Sequence, residues 1–85
     1  MPTLTIEVTE KDIDKGMPCD GWNDPISRAL FRIVGQRFIV HEDRIHPLGQ
    51  AGVFIPLPQH AKLWLWGFDH RLPVNPFSFK LEMPQ

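Results

Sequence analysis

The residue types best suited to chemistry in this chain are four histidines and one cysteine: His41, His46, His60, His70 and Cys19. A catalytic histidine needs a carboxylate that orients its ring and a pocket that holds the substrate. Asp69 precedes His70 directly, but the side chains of adjacent residues usually point in different directions. We therefore interpret the histidines as surface or edge-strand residues, and the sequence predicts a protein that is not an enzyme.

Metal and nucleophile chemistry also lack a recognisable pattern. Cys19 is the only cysteine, so no internal disulfide can form, and no C-x₂-C or H-x₃-H spacing accompanies it. No base is identifiable that would activate its thiol. The stretch Gly49–Gly52 joins two predicted strands, whereas a phosphate-binding loop joins a strand to a helix. The sequence therefore predicts no metal site and no other cofactor.

Length and composition limit the class of protein further. A chain of 85 residues, 42% of them apolar, is predicted to form one domain with a small core. The net charge of −1 lacks the basic surplus on which non-specific nucleic-acid binding depends. No apolar run reaches the roughly 18–20 residues of a membrane span, and the polar N-terminus does not have the pattern of a signal peptide. We therefore expect a cytoplasmic protein that does not bind membranes.

The outward face of the first long helix is a candidate binding surface. Arg28 and Arg32 are one helical turn apart, Phe31 projects between them, and Arg37 follows shortly afterwards. Arginine beside an exposed aromatic ring can stack on a nucleic-acid base or bind an acidic protein partner. The alternative interpretation is a solvated helix face with Phe31 covered by a neighbouring loop.

The second long helix carries another candidate surface. Leu63 and Trp66 point away from the apolar stripe of this helix. The stripe consists of Ala61, Trp64, Leu65 and Phe68. A surface helix does not usually carry tryptophan and leucine on its outer side. Either the loop at 17–23, which contains Trp22, covers them, or they form an interface. Such an interface would also allow self-association into a homodimer.

The elements that position these residues can be predicted from periodicity and from stop signals. The predicted strands lie at 4–8, 37–42, 44–48, 53–55 and 77–82, a helical turn at 10–15, and longer helices at 25–34 and 58–68. Thr9 and Asp12 have the spacing of a capping box, and Asp24 with Pro25 is a typical helix start. Gly16 and Gly35 end the first two helices. The order β-α-α-β-β-β-α-β predicts an α+β domain, a mainly antiparallel sheet with both longer helices packed on one face.

Three motifs carry a resemblance to a known group of proteins. They are V-T-x-x-D-I-x-x-G at residues 8–16, P-I-x-x-A-L-x-R at 25–32 and F-D-x-x-x-P-V-x-P-F-x-F-x-L at 68–81. The chain resembles a group of small uncharacterised proteins that are encoded mostly by bacteriophages and prophages. The resemblance implies an accessory role in the cytoplasm of the host cell, through interaction with a host or defence protein.

Two hypotheses follow from the sequence. The first is a protein-binding module that inhibits a host or defence protein by steric occlusion, with Leu63 and Trp66 as apolar anchors and a second patch formed by Arg28, Phe31 and Arg32. The alternative is a small nucleic-acid-binding protein that uses the face formed by Arg28, Phe31, Arg32 and Arg37. The near-neutral net charge favours the first hypothesis.

Overall fold

The computed structural model describes residues 3–82, which form the predicted α+β fold in the predicted element order. The elements are β1 (Thr3–Val8), α1 (Glu10–Lys15), α2 (Pro25–Val34), β2 (Phe38–Val40), β3 (Arg44–Pro47), β4 (Ile55–Pro56), α3 (Gln59–Asp69) and β5 (Phe77–Glu82). β2 and β3 are shorter than predicted, and β4 covers Ile55–Pro56 instead of 53–55. The amide of His41 bonds Arg44 O across the β2–β3 turn, and the amide of Val53 bonds Gln50 O within the turn before β4.

The strands form two small antiparallel sheets instead of the single sheet that the pattern predicted. β1 pairs with β5, and β2, β3 and β4 form the second sheet in that order. The predicted alternation in the first sheet is confirmed, because Ile6 lies opposite Phe79 and both are buried. α2 contacts β1 of one sheet and β2 of the other, so this helix connects the two sheets.

α2 begins and ends at the predicted residues. The Asp24 side chain accepts a 2.7 Å hydrogen bond from the amide of Ser27, and Pro25 occupies the first turn. Gly35 ends the helix with a φ of 81°, a left-handed conformation that glycine adopts without a steric penalty. The predicted apolar stripe is buried at Ile26, Ala29 and Leu30. In the last turn Ile33 is 37% exposed, whereas Val34 is half-buried against the core, so the predicted stripe is less deeply buried at its end.

α1 is a short helix that lies against the start of α2. The predicted capping box is present, with Thr9 and Asp12 each satisfying a backbone amide of the other. Gly16 ends α1, but its φ of −73° is not left-handed. The reason for glycine is space, since a Cβ here would lie 2.6 Å from Cδ of Pro25.

α3 packs its predicted face into the core. Ala61, Leu65 and Phe68 are buried, and the Trp64 ring stacks on Phe77 of β5 with 4.5 Å between centroids. Pro58 is the N-cap, so the helix starts one residue later than predicted. Across residues 3–82, none of the helices has both the length and the apolar character needed to span a bilayer.

Candidate functional site

Two surfaces of the fold carry the residues that the sequence singled out. We call the first the α3 surface and define it as Leu63, Trp66 and His70. Leu63 is 62% exposed and Trp66 is 56% exposed, and the two residues are three positions apart on the same side of α3. The Trp66 ring stacks on the His70 ring with 4.1 Å between centroids. The outer side of α3 is therefore a solvent-facing apolar surface.

The loop at 17–23 does not cover the α3 surface, so the interpretation of Leu63 and Trp66 as residues covered by this loop is wrong. The amide of Cys19 donates to Asp69 Oδ1 at 2.9 Å, which attaches the loop to the end of α3. The amide of Val40 donates to Gly21 O at 2.9 Å, which attaches it to β2. Trp22 itself contacts α2, because its carbonyl oxygen accepts a hydrogen bond from the Ser27 hydroxyl.

The second surface is a concavity between α1, the loop at 17–23 and α2, which we call the basic cleft. It has a volume of about 560 Å³, within the roughly 300–1,000 Å³ of typical ligand pockets. Its lining residues are Thr9, Lys11, Asp12, Trp22, Asn23, Ser27, Arg28, Phe31, Arg32 and Arg37. The structure thus brings together all four residues of the predicted basic face, Arg28, Phe31, Arg32 and Arg37.

Two aromatic rings flank the guanidinium of Arg37 in the basic cleft. The guanidinium carbon lies 5.8 Å from the ring centroid of Trp22 and 5.8 Å from that of Phe31, within the range of cation–π contact. Trp22 is 41% exposed and Phe31 is 51% exposed. The alternative interpretation, in which a loop covers Phe31, is therefore wrong, and the cleft combines positive charge with accessible rings.

The backbone of Trp22 is fixed by hydrogen bonds on both sides. Its amide donates to Asp20 Oδ1 at 3.0 Å, and its carbonyl oxygen accepts from the Ser27 hydroxyl at 2.9 Å. The side-chain amide of Asn23 also donates to Asp20 Oδ2 at 3.1 Å. Hydrogen bonds from Asn23 and then from the Trp22 amide lower the pKa of Asp20, so this carboxylate is ionised at neutral pH. The backbone that carries the Trp22 ring is therefore held beside the cleft before any ligand binds.

Arg32 has a structural partner inside the basic cleft. Its Nη2 donates to Asp12 Oδ2 at 2.8 Å and to the backbone oxygen of Glu7 at 2.8 Å. Burial alone would raise the pKa of Asp12, but hydrogen bonds from Thr9 and the contact with Arg32 outweigh it and lower that pKa. The predicted role of Arg32 as a contact residue is therefore combined with a role in holding α1, α2 and β1 together.

The other cations of the cleft have no such partner. Within residues 3–82 no salt bridge involves Lys11, Arg28 or Arg37, and Nε of Arg28 is covered from solvent without a hydrogen-bond acceptor. Four basic residues and one acidic residue give the cleft a formal charge of +3, whereas the whole chain carries −1. The basic cleft is thus a positive patch on a slightly acidic protein.

Asp24 lies buried at the N-terminus of α2, next to the cleft residue Asn23. Burial raises the pKa of Asp24 to about 8, the hydrogen bond from the Ser27 amide opposes this, and the carboxylates of Asp69 and Asp20 add to it. The side chain is therefore mostly protonated at pH 7. A neutral Asp24 does not reduce the positive charge of the neighbouring cleft.

The histidines and Cys19 are distributed over the fold. His46, His60 and His70 each have a ring nitrogen within hydrogen-bond distance of a backbone carbonyl oxygen, those of Val53, Ser78 and Trp66 respectively. Cys19 is exposed. In the part of the chain that the structure describes, no three histidine, cysteine or acidic side chains are grouped so that they could hold a metal ion.

Lys11, Asp12 and Trp22 also line the basic cleft, although their spacing in the sequence does not group them with Arg28, Phe31 and Arg32. Trp22 lies two residues before Asp24, the N-cap of α2, and this position predicts a place near the start of that helix. No family model, no curated protein and no solved structure matches the chain. Proposals about its function therefore rest on the geometry of the two surfaces and on the motif resemblance.

Proposed function

We propose that the protein is a small phage-type accessory protein, a non-enzymatic module that binds a host or defence protein and occludes its functional surface. The observation that carries this proposal is the exposure of Leu63 and Trp66 one turn apart on α3. Tryptophan is strongly enriched among the residues that dominate interface energies. Two large apolar side chains one turn apart form a contiguous exposed surface of the kind that marks protein interaction sites, so a partner that covers them accounts for their position.

The rigidity of α3 supports occlusion as the mechanism. The opposite face of the helix is fixed in the core by Ala61 and Leu65. His70 stacks on the Trp66 ring and its Nδ1 lies 2.7 Å from Trp66 O. A partner therefore meets anchors that lose little conformational freedom on binding, which increases affinity for a given contact area.

A capture experiment from a bacterial host lysate tests the proposal. The bait is the full chain as wild type, as a Leu63→Ala, Trp66→Ala double variant, and as a Leu48→Ala, Phe54→Ala double variant. Leu48 and Phe54 are 48% and 47% exposed and lie outside the α3 surface, so this control removes similar apolar area. After nuclease treatment and at high salt, we expect a protein that the wild type and the control retain and the α3 variant loses. Equal retention by all three baits would contradict the proposal.

Self-association through the same surface is a separate outcome. A second copy of the chain as the partner predicts a concentration-dependent dimer in sedimentation velocity, which the α3 variant abolishes and the control variant keeps. Retention of a lysate protein by a bait that stays monomeric would instead support a heterologous partner.

Nucleic-acid binding is the second candidate function, and the basic cleft is the observation that favours it. Arg37 between Trp22 and Phe31 is an arrangement on which bases can stack. The net charge of −1 provides no long-range attraction for a polyanion. Binding of single-stranded nucleic acid that falls steeply with salt would support this candidate, because phosphate contacts release counterions.

A further inference from the structure

From the unpaired cations of the basic cleft we infer that this cleft binds an acidic peptide segment of the partner protein. The inference rests on the proposed function, because it assumes that the partner is a protein. It concerns a surface separate from Leu63 and Trp66, and it names the chemistry that the partner must present. Lys11, Arg28 and Arg37 have no ion-pair partner within residues 3–82, so carboxylates of another protein can form ion pairs with them.

Arg28 has hydrogen-bonding capacity that the fold does not use. Its Nε has no acceptor among the described residues, and an unsatisfied covered donor is unfavourable. A guanidinium binds a carboxylate through two parallel hydrogen bonds, which is the strongest arrangement for either group. Nε is covered in the free protein, so a glutamate or aspartate in the cleft binds it only when the Arg28 side chain shifts toward the ligand.

The aromatic rings of the cleft suit a peptide. The guanidinium carbon of Arg37 lies 5.8 Å from the ring centroids of both Trp22 and Phe31, so the cation and the two rings are already close together in the free protein. Their exposed faces can pack on the methylene groups of acidic side chains, while the cations bind the carboxylates. Tryptophan and arginine are each enriched among the residues that dominate interface energies.

The charges around the cleft favour a short acidic segment over a nucleic-acid strand. With every carboxyl group counted as ionised, the residues outside the cleft carry a formal charge of −4, because the chain totals −1 and the cleft contributes +3, and protonation of Asp24 leaves −3. Thr9 lines the basic cleft and also the neighbouring groove, which contains Glu7 and Glu10. A strand that continues past Thr9 would place phosphates against these carboxylates, whereas a short peptide segment can end within the cleft.

Proton–nitrogen correlation NMR on the full chain tests the inference. The probe is a blocked hexaglutamate peptide at neutral pH and low salt, and hexathymidylate is titrated in parallel. We expect the peptide to shift the Trp22 indole signal and the Nε–H signals of Arg28 and Arg37. We also expect an Arg28→Gln, Arg37→Gln variant to bind the peptide about tenfold more weakly.

Lys80→Gln, compared with the Arg37→Gln single variant, controls for the loss of one positive charge. Lys80→Gln removes one cation from the exposed outer side of β5, outside the basic cleft, and is expected to change peptide affinity by less than about twofold. Arg28→Lys keeps the charge but not the planar fork, and we expect intermediate affinity. Thermal unfolding establishes that each variant folds. If the Arg28→Gln, Arg37→Gln variant does not fold, the Arg37→Gln single variant replaces it.

Each outcome separates the inference from its alternatives. Absence of shifts with the peptide, equal weakening by Lys80→Gln, or tighter binding of hexathymidylate would overturn it, the last in favour of nucleic acid. The Leu63→Ala, Trp66→Ala variant should bind hexaglutamate as the wild type does. Failure of that variant to lose the lysate partner counts against the proposed function alone, and failure of the peptide titration counts against the cleft alone.

Discussion

The guanidinium of Arg32 and the carboxylate of Asp12 form a 2.8 Å ion pair that joins α2 to α1. The Asp12 side chain is 8% exposed and that of Arg32 is 47% exposed, so the acid is buried at one wall of the basic cleft and the base covers it. The same guanidinium bonds the backbone oxygen of Glu7 at the end of β1. One side chain therefore connects three elements around the cleft.

Replacing Arg32 with glutamine should destabilise the fold. The variant leaves Asp12 with only its Thr9 hydrogen bonds, and because Arg32 is half exposed we expect a loss of about 1 kcal/mol in the free energy of unfolding. Urea denaturation measures this loss. Lys80→Gln, which breaks no salt bridge among the described residues, should stay within about 0.5 kcal/mol of the wild type. Equal stability of the two variants would show that the ion pair does not support the fold.

Asp12 also predicts a specific acid sensitivity. Its pKa in the folded protein is below the unfolded value of 3.8, so its contribution to stability is present above that pH. The contribution is lost as pH falls from 3.8 through the lowered folded pKa. Arg32→Gln should have a smaller stability loss over this interval than the wild type, measured by urea denaturation at a series of acidic pH values. A parallel pH profile for both proteins would contradict the assignment.

Asp24 should give the opposite pH dependence. Its pKa is about 8 in the folded protein against 3.8 unfolded, so the folded state binds the proton more tightly. The contribution of Asp24 to the free energy of unfolding is complete below pH 3.8 and is lost as pH rises from 3.8 to about 8. Asp24→Asn still caps α2 but cannot ionise, so the variant should equal the wild type near pH 4 and exceed it near pH 8. Asp24→Ala should lose about 1 kcal/mol near pH 4, where the wild-type side chain is neutral.

The elements of this fold were predictable where the determinants are local. Thr9 with Asp12 and Asp24 with Pro25 are neighbours in sequence, so their caps could be read directly. The division into two sheets was not predictable, because β1 pairs with β5 at the other end of the chain and the alternating pattern specifies a face but not a partner.

The candidate site was predictable only in part for the same reason. Arg28, Phe31 and Arg32 share one helix face, so the pattern grouped them. The pairing of Arg32 with Asp12 spans 20 positions. The placement of Trp22 depends on a contact of its loop between Cys19 and Asp69, which are 50 positions apart. Long-range contacts of this kind leave no periodic signal in a single sequence.

Two glycines should respond to alanine in opposite directions. At Gly21 a Cβ would lie 2.3 Å from the backbone oxygen of Val40, so the loop that carries Trp22 must move. We expect Gly21→Ala to lose roughly 1–3 kcal/mol and to weaken hexaglutamate binding. At Gly67 the nearest atom to a Cβ is Val74 Cγ1 at 3.7 Å, so Gly67→Ala in α3 should gain up to about 1 kcal/mol. Chemical denaturation compares both variants, and a stabilised Gly21→Ala would contradict the close approach.

The two sides of α3 should differ sharply in what they contribute to stability. Leu63 and Trp66 are more than half exposed, so replacing either with alanine should change the free energy of unfolding by less than about 1 kcal/mol. Leu65 is 3% exposed in the core, and Leu65→Ala should lose roughly 2–5 kcal/mol. Thermal unfolding of the three single variants measures the contrast. If Trp66→Ala were as destabilising as Leu65→Ala, Trp66 would be a structural residue. Unfolding would then explain why the variant no longer binds a partner. A stable Trp66→Ala variant is therefore the condition under which lost partner binding identifies α3 as the contact surface.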